Sequence, residues 1–248
     1  MSQTVVLITG GNRGLGLGLV RTFLSQPHHT VIAANRNPEH PTSKALFDLS
    51  KGEGSKLIVV KYDAAVEQDA FDAVKELKHK HGIDALDIVI ANAGIVKSYP
   101  LVKDVKRAEI QQHIDVNAYG VVTLYQATRE LLQNSTKKPV FAIVGSGASS
   151  LGNQPPVPNA AYGPSKVLLN WYGVRINAED EWLNAFVLDP GFSQTEMGNE
   201  AARFFGMGEE APVKVEDSVG GMFNVITTAN KETHGGKFVL YTGEILSF

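Results

Sequence analysis

Residues 9–16 read TGGNRGLG, and the fold follows from this glycine turn. The turn comes directly after the apolar run 5–9 and opens a segment of helical period, so it joins a predicted strand to a predicted helix. Glycines allow the backbone to turn sharply there and bring a pyrophosphate against the N–H groups and the positive dipole end of the helix. A flexible turn without a ligand is the alternative, because Gly-x-x-x-Gly-x-Gly is not the common Gly-x-Gly-x-x-Gly and a glycine cluster alone is a weak signal.

Further apolar runs follow the first, and segments of helical period separate them. The predicted strands are 5–9, 30–35, 57–62, 86–91, 140–145, 185–189 and 237–241. The predicted helices are 15–25, 42–50, 67–81, 107–133, 160–177 and 215–229. Because the runs are nearly continuous rather than alternating, each strand is expected to be covered on both faces. We therefore expect an α/β fold, a Rossmann-type doubly wound parallel sheet of about seven strands with helices on both faces, as one domain over residues 1–248.

The composition is that of an ordinary globular protein, with 43% hydrophobic and 20% charged residues in a chain of 248. A formal net charge of -3, without a long block of like charge, argues against nucleic acid as a partner. The absence of cysteine excludes disulfides, thiolate nucleophiles and cysteine-ligated zinc, and no metal site is implied. We find neither a signal peptide nor an apolar stretch of about 20 residues, so we expect a cytoplasmic protein that does not enter a membrane.

A tyrosine and a lysine four residues apart open the predicted helix 160–177. Positions four apart lie on the same helical face, so Tyr162 and Lys166 are predicted neighbours. An ammonium beside a phenol favours the phenolate and lowers its pKa from about 10, which would let the tyrosine exchange a proton near neutral pH. Taken alone, however, such a pair is more often an aromatic packing residue beside a solvated charge.

Three motifs in this order make the chain resemble the classical short-chain dehydrogenase/reductase family: the glycine turn, Asn92-Ala93-Gly94 after the fourth strand, and Tyr162-x-x-x-Lys166. Within the family the chain is similar to the carbonyl-reductase-like branch of sniffer proteins and fungal ketoreductases of the norsolorinic acid type. That similarity lies in the Gly-Asn-Arg-Gly part of the turn and in the tail over residues 236–244. The resemblance implies hydride transfer between a nicotinamide and a carbonyl carbon.

The resemblance also implies the catalytic residues, which are Asn117, Ser149, Tyr162 and Lys166. Tyr162 would be the general acid in reduction, and Lys166 would depress its pKa and hold the nicotinamide ribose. Ser149 would hold the substrate oxygen, and Asn117 would fix a water in the proton relay. Ser149 is preferred to the flanking Ser146 and Ser150 only because it lies 13 residues before Tyr162, the usual interval in the family. The alternative for Ser149 is a serine that caps a loop, and the alternative for Asn117 is a polar residue inside a helix.

The identity of the cofactor is predicted from the end of the second strand, where an acid on the ribose 2′-hydroxyl selects NAD and an arginine accommodates the 2′-phosphate of NADP. The neutral Asn35 takes the place of the acid, Arg36 follows it, and Arg13 of the glycine turn could reach the same phosphate. This pattern predicts NADPH/NADP+, and the alternative is that Arg36 is a solvated loop residue. The predicted cofactor-binding residues are Gly10, Asn12, Arg13, Gly14, Leu15, Gly16, Asn35, Arg36, Asp63, Ala64, Asn92, Ala93, Gly94, Tyr162, Lys166, Pro190, Gly191, Ser193 and Thr195.

The leading hypothesis is an NADPH-dependent reductase of a hydrophobic or aromatic ketone or aldehyde, of the polyketide ketoreductase kind and reversible as an alcohol dehydrogenase. The rival is a catalytically silent sensor or scaffold on the same fold, disfavoured because the proton donor and its lysine are both present. Segment 192–212 is expected to be a substrate lid, poorly ordered without ligand, that offers Phe204, Phe205 and Met207 as an apolar surface; a dimer contact is the alternative. We also expect a homodimer or homotetramer.

Overall fold

The computed structural model describes residues 3–248, which fold around one sheet of eight strands. The strands are β1 (Thr4–Thr9), β2 (His29–Asn35), β3 (Lys56–Lys61), β4 (Ile88–Ala91), β5 (Val140–Val144), β6 (Asn184–Asp189), β7 (Phe238–Leu240) and β8 (Ile245–Leu246). Their spatial order is β3-β2-β1-β4-β5-β6-β7-β8, and all neighbours are parallel except β7 and β8. The chain order reverses between β1 and β4, and ligands of open α/β sheets bind in the crevice at the carboxyl ends of such strands.

Helices lie on both sides of the sheet. They are α1 (Gly14–Leu24), α2 (Pro41–Lys44), α3 (Glu67–His81), α4 (Arg107–Ile114), α5 (Gly120–Gln133), α6 (Tyr162–Glu179), α7 (Glu196–Phe204), α8 (Val215–Thr228) and α9 (Lys231–His234). A wide π-helical turn at Asp115–Tyr119 joins α4 to α5, and such turns occur often at functional sites. Among the helices formed by residues 3–248, none combines the length and the apolar character needed to cross a bilayer.

Two apolar cores form on the two faces of the sheet. Leu7 of β1 belongs to the core that contains buried residues of α3, α5 and α6. Its neighbours Val6 and Ile8 belong to the other core, which contains buried residues of α1 and α8. Successive side chains of a strand point to opposite faces, so β1 is buried on both sides, as the continuous apolar run predicted.

The predicted fold class is confirmed, and the differences lie at particular elements. The sheet has eight strands rather than seven, because the turn at Gly243, with a φ of 93°, returns β8 antiparallel to β7. The predicted helix 42–50 is only the short α2 followed by a 3-10 turn at Ala45–Asp48. The segment 192–212 contains α7, which no prediction included and whose first turn is capped where Thr195 Oγ1 accepts a hydrogen bond from Gly198 N.

Candidate active site

Close backbone packing joins the glycine turn to the neighbouring strand β4. The Thr9 hydroxyl accepts hydrogen bonds from the backbone N–H groups of Asn92 at 3.0 Å and Ala93 at 2.9 Å, and Asn92 Nδ2 donates to Thr9 O at 2.8 Å. Gly10 has a φ of 65°, and a Cβ on Gly16 would lie 2.1 Å from the carbonyl oxygen of Gly10. The packing therefore leaves no room for a side chain at Gly16, and within the described chain no side chain caps the start of α1. The N–H groups of that first helical turn can hold an anion.

The end of β2 carries the residues expected to select the cofactor. Asn35 is buried, and neither polar atom of its side chain has a hydrogen-bond partner within residues 3–248. Arg36 beside it is exposed. Arg13 forms an exposed ion pair with Glu196 of α7, with 3.1 Å between Nη1 and Oε2, a partner that the sequence did not suggest. Such a pair contributes only about 0–1 kcal/mol, so a phosphate dianion can displace Glu196 from Arg13.

This half of the crevice fits a dinucleotide, because the turn lets a ligand approach the backbone and Asn35 supplies an unpaired buried amide. Two of the predicted cofactor residues also have local partners. Asn12 Nδ2 donates to Thr42 Oγ1 at 2.6 Å, and Asp63 Oδ1 accepts from Ala65 N at 3.0 Å. The Asp63 contact is a local turn interaction that such a side chain makes without any ligand, whereas the Asn12 contact ties the glycine turn to the start of α2.

The side chain of Asn117 connects the loop after β4 to helix α6. Asn117 Oδ1 accepts from Ile95 N at 2.8 Å, and its Nδ2 donates to Ile95 O and to Ser165 Oγ, both at 3.0 Å. Lys166 is buried, and its Nζ donates to the carbonyl oxygen of the last residue of β5 at 2.9 Å. A Cβ on Gly94 would lie 3.2 Å from Asn117 Oδ1 and 3.6 Å from Lys166 Nζ. The fold thus brings these three predicted residues together.

The two candidate serines face different surroundings. Ser149 is fully buried, and its hydroxyl donates to the carbonyl oxygen of Ser146 at 2.7 Å and accepts from Asn170 Nδ2 at 3.1 Å. Ser146 lies two residues beyond β5, its Oγ accepts a hydrogen bond from Ala148 N at 3.2 Å, and hydrogen bonding with its hydroxyl pulls the pKa of Tyr162 downward. The Ser149 hydroxyl is thus engaged by the backbone and by Asn170, and its part in holding the substrate oxygen stays a prediction. The serine beside the phenol is Ser146.

The electrostatics of the tyrosine–lysine pair differ from the expectation. Burial raises the pKa of Tyr162 to about 12, against the opposite effect of Ser146. Burial also lowers the pKa of Lys166 to about 8, although the negative charge of Asp189 opposes that shift. Lys166 Nζ lies 5.7 Å from the centre of the Tyr162 ring. The pKa of Tyr162 thus rises where a fall was predicted, and desolvation is the largest cause.

The end of β6 forms the far side of the site. Asp189 is buried, and its Oδ1 accepts a hydrogen bond from Gly191 N at 2.9 Å. Burial raises the pKa of Asp189, and its charge in turn raises the pKa of Tyr162. The Ser193 hydroxyl donates to the carbonyl oxygen of Pro190 at 3.0 Å, which makes the following turn tight. Sequence reasoning missed Asp189, although a lone acid at the end of a buried strand was a visible signal.

Helix α7 lies against the glycine turn at one end and an unexpected tyrosine at the other. A Cβ on Gly14 would lie 3.3 Å from Thr195 Cγ2. The Tyr99 ring centre lies 4.7 Å from that of Phe204 and 4.8 Å from that of Phe205. No motif marked Tyr99, because it lies in an irregular loop far from α7 in the chain. Of the other predicted residues, Leu15 packs against the core that includes α1 and Ala64 against the opposite core.

Comparisons with known proteins agree with this arrangement. The family model for the short chain dehydrogenase matches residues 4–203. The norsolorinic acid ketoreductase of Aspergillus parasiticus is 40% identical over 97% of this chain and 89% of the relative, and that of Dothistroma septosporum is 41% identical over 96% and 90%. Among solved structures, a carbonyl reductase from chicken fatty liver with bound NADPH has a TM-score of 0.86 at 22% identity. The carbonyl reductase Sniffer of D. melanogaster has a TM-score of 0.84 at 24% identity, and each alignment covers 100% of both chains.

Proposed function

This chain belongs to the short chain dehydrogenase family, and on that premise we propose that it is an NADPH-dependent reductase of a hydrophobic or aromatic ketone or aldehyde, reversible as an alcohol dehydrogenase. The observation that carries the proposal is the convergence of a partly exposed phenol, a serine hydroxyl and a buried ammonium beside the glycine turn. The names of the norsolorinic acid ketoreductases support a ketone, including one of polyketide origin, as the substrate.

We propose NADPH as the cofactor because the end of β2 carries the neutral Asn35 and then Arg36 in place of an acid, and Arg13 of the glycine turn is a second arginine. When bound, the reduced nicotinamide supplies the hydride. The glycine turn would hold the pyrophosphate, and Arg36 and Arg13 the 2′-phosphate, with Glu196 displaced from Arg13. The adenine end would contact Asp63 and Ala64. The nicotinamide end would contact Asn92, Ala93, Gly94, Pro190, Gly191, Ser193 and Thr195.

The proton that completes the reduction comes from Tyr162. With a pKa of about 12 its phenol keeps its proton at neutral pH, which suits a general acid. It would donate that proton to the carbonyl oxygen of the substrate, while the Ser146 hydroxyl donates a hydrogen bond to the same oxygen. Ser146 takes the part first assigned to Ser149, since the Ser149 hydroxyl is engaged by the backbone and by Asn170.

Lys166 and Asn117 support this step in different ways. The buried ammonium of Lys166 lies close enough to stabilise the phenolate that proton transfer leaves behind, and we propose that it also holds the nicotinamide ribose. Both polar atoms of the Asn117 side chain are engaged by Ile95 and Ser165, so its side chain positions the loop after β4. A water held by Asn117 would then have to bind its backbone carbonyl.

A panel of aliphatic and aromatic ketones and aldehydes tests the activity, with the loss of NADPH absorbance as the readout. We expect wild-type protein to oxidise NADPH with at least one carbonyl compound and Tyr162→Phe to do so at a small fraction of that rate. NADPH binding without turnover of any compound would contradict a reductase and support the sensor instead.

The cofactor is tested separately by steady-state kinetics with NADPH and NADH on wild type and Arg36→Ala. A charge-assisted hydrogen bond contributes about 1.5–3 kcal/mol, so the loss of Arg36 should lower the preference for NADPH by about tenfold or more. Arg21→Ala, which removes a guanidinium from the exposed side of α1, is the matched control. Equal specificity constants for the two cofactors in wild type would contradict the assignment.

A homodimer or homotetramer, a cytoplasmic location and a single catalytic domain over residues 1–248 stay predictions. So does closure of segment 192–212 over bound substrate. Sedimentation of the purified protein tests the first of these, and hydrogen exchange with and without cofactor tests the last.

A further inference from the structure

Three aromatic rings from distant parts of the chain meet at the edge of the candidate site. Tyr99 lies in the loop between β4 and α4, whereas Phe204 and Phe205 lie at the end of α7. The ring centres of Tyr99 and Phe204 are 4.7 Å apart at an interplanar angle of 31°, and those of Tyr99 and Phe205 are 4.8 Å apart at 71°. Phe204 therefore covers one face of the Tyr99 ring and Phe205 contacts it edge-on, geometries that aromatic pairs favour.

Hydrogen bonds on both sides of Tyr99 hold its loop in place. Lys97 N donates to Nε2 of the buried His113 in α4 at 3.1 Å. Ala160 N donates to Pro100 O at 3.1 Å, which ties the loop to the residues immediately before Tyr162. Tyr99 is thus fixed between the start of α6 and the end of α7.

Tyr99 lies next to the reaction centre, because its chain neighbour Pro100 is hydrogen-bonded to Ala160, two residues before Tyr162. A negative charge on Tyr99 is close enough to raise the pKa of Tyr162. The Tyr99 ring is half-buried, so part of it stays accessible after Phe204 and Phe205 have packed on it. Phe204 itself is 59% exposed, so the aromatic group is accessible from solvent.

We propose that Tyr99 is a specificity-determining residue whose ring, backed by Phe204 and Phe205, forms one wall of the substrate site and packs against the aromatic ring of an aryl carbonyl compound. The inference rests on the proposed function and goes beyond it by choosing the aryl class over the aliphatic one. A planar ring gains from offset or edge-on contact with Tyr99, whereas a saturated ring of the same size gains only apolar burial.

Benzaldehyde and cyclohexanecarbaldehyde test this choice, because both place an aldehyde on a six-membered ring and only one ring is planar. The quantity measured is the ratio of their kcat/KM values with NADPH, in wild type, Tyr99→Leu, Tyr99→Phe and Phe204→Leu. Trp171→Leu is the control, since Trp171 is a 61% exposed aromatic residue on the outer face of α6. Comparing each variant with wild type cancels the different intrinsic reactivities of the two aldehydes.

We expect Tyr99→Leu to lower the ratio for benzaldehyde over cyclohexanecarbaldehyde by about three- to tenfold, and Phe204→Leu to lower it in the same direction. Tyr99→Phe keeps the ring and should leave the ratio within about twofold of wild type, as should Trp171→Leu. An unchanged ratio in Tyr99→Leu, or preference of wild type for the saturated aldehyde, would overturn the role of Tyr99 while leaving a reductase in place. Failure of wild type to oxidise NADPH with either aldehyde would count against the proposed function itself.

Discussion

The glycine turn after β1 and the loop after β5 lie near each other at the carboxyl edge of the sheet, yet they are built in opposite ways. The turn crosses from strand to helix within residues 10–13 and is determined by backbone packing, such as the 2.1 Å that would separate a Cβ on Gly16 from Gly10 O. The loop runs over residues 145–161 and is organised by side chains, with Ser149 bonded to Asn170 of α6.

The difference determines what each region reveals in the sequence. Where backbone geometry sets the structure, few residue types are possible and their spacing is short, so the motif and its place can be identified together. Where side chains from distant elements set the structure, the path of the loop cannot be read from the sequence. A rule that counts residues along such a loop then does not identify which side chain reaches the site. The comparison therefore predicts that substitutions which add atoms impair the function of the turn. Substitutions which remove hydrogen-bonding groups are predicted to impair that of the loop.

The largest effect is expected from Tyr162→Phe, which removes the transferable proton beside the loop but keeps the ring. General acid catalysis contributes about 10²–10⁴-fold, so kcat should fall by that factor while NADPH affinity stays within about threefold of wild type. Steady-state kinetics and a fluorescence titration with NADPH measure the two quantities. Tyr172→Phe, on the same helix, is the control and should keep wild-type kcat. A Tyr162→Phe protein with full turnover would remove the phenol from the mechanism.

Gly16→Ala should act mainly on cofactor binding. The added Cβ collides with the carbonyl oxygen of Gly10, and overpacking of this kind costs about 1–3 kcal/mol, or about five- to 150-fold in NADPH affinity if the turn must shift. Gly152→Ala is the matched variant in the loop, since a Cβ there would meet nothing within 4 Å. We expect unchanged affinity for Gly152→Ala. An equal loss of NADPH affinity in Gly16→Ala and Gly152→Ala would contradict the difference between the turn and the loop.

A smaller effect is expected from the buried ammonium of Lys166. Burial lowers its pKa from 10.5 to about 8, so between these values the unfolded chain binds more protons than the folded one. Stability relative to Lys166→Met should therefore rise as the pH increases through that window, and the change in Tm should be a few degrees. Thermal unfolding of both proteins from about pH 7 to about pH 10 measures it. A constant difference in Tm would show that Lys166 titrates normally.

Much of the fold was predictable because continuous apolar runs mark strands that are buried on both faces. The short strand β8 was not, since it depends on the turn at Gly243. In the site, the glycine turn and Tyr162 with Lys166 follow from short motifs. The direction of the pKa shift of Tyr162 depends on burial, and the position of Tyr99 depends on contacts between distant segments. The spacing of residues in the sequence predicts neither.

Kinetics of Ser146→Ala and Ser149→Ala test most directly the claim that the loop presents Ser146, and not Ser149, to Tyr162. Loss of a hydrogen-bond donor to the reacting oxygen typically costs about 10²–10³-fold, so kcat should fall by that factor in Ser146→Ala. Ser149→Ala removes the buried hydroxyl to which Asn170 donates and keeps only the bond to Ser149 O at 3.3 Å, a loss of about 1 kcal/mol, so its Tm should fall while kcat stays within about threefold of wild type. The reverse pattern, with turnover lost in Ser149→Ala and kept in Ser146→Ala, would contradict this account of the site.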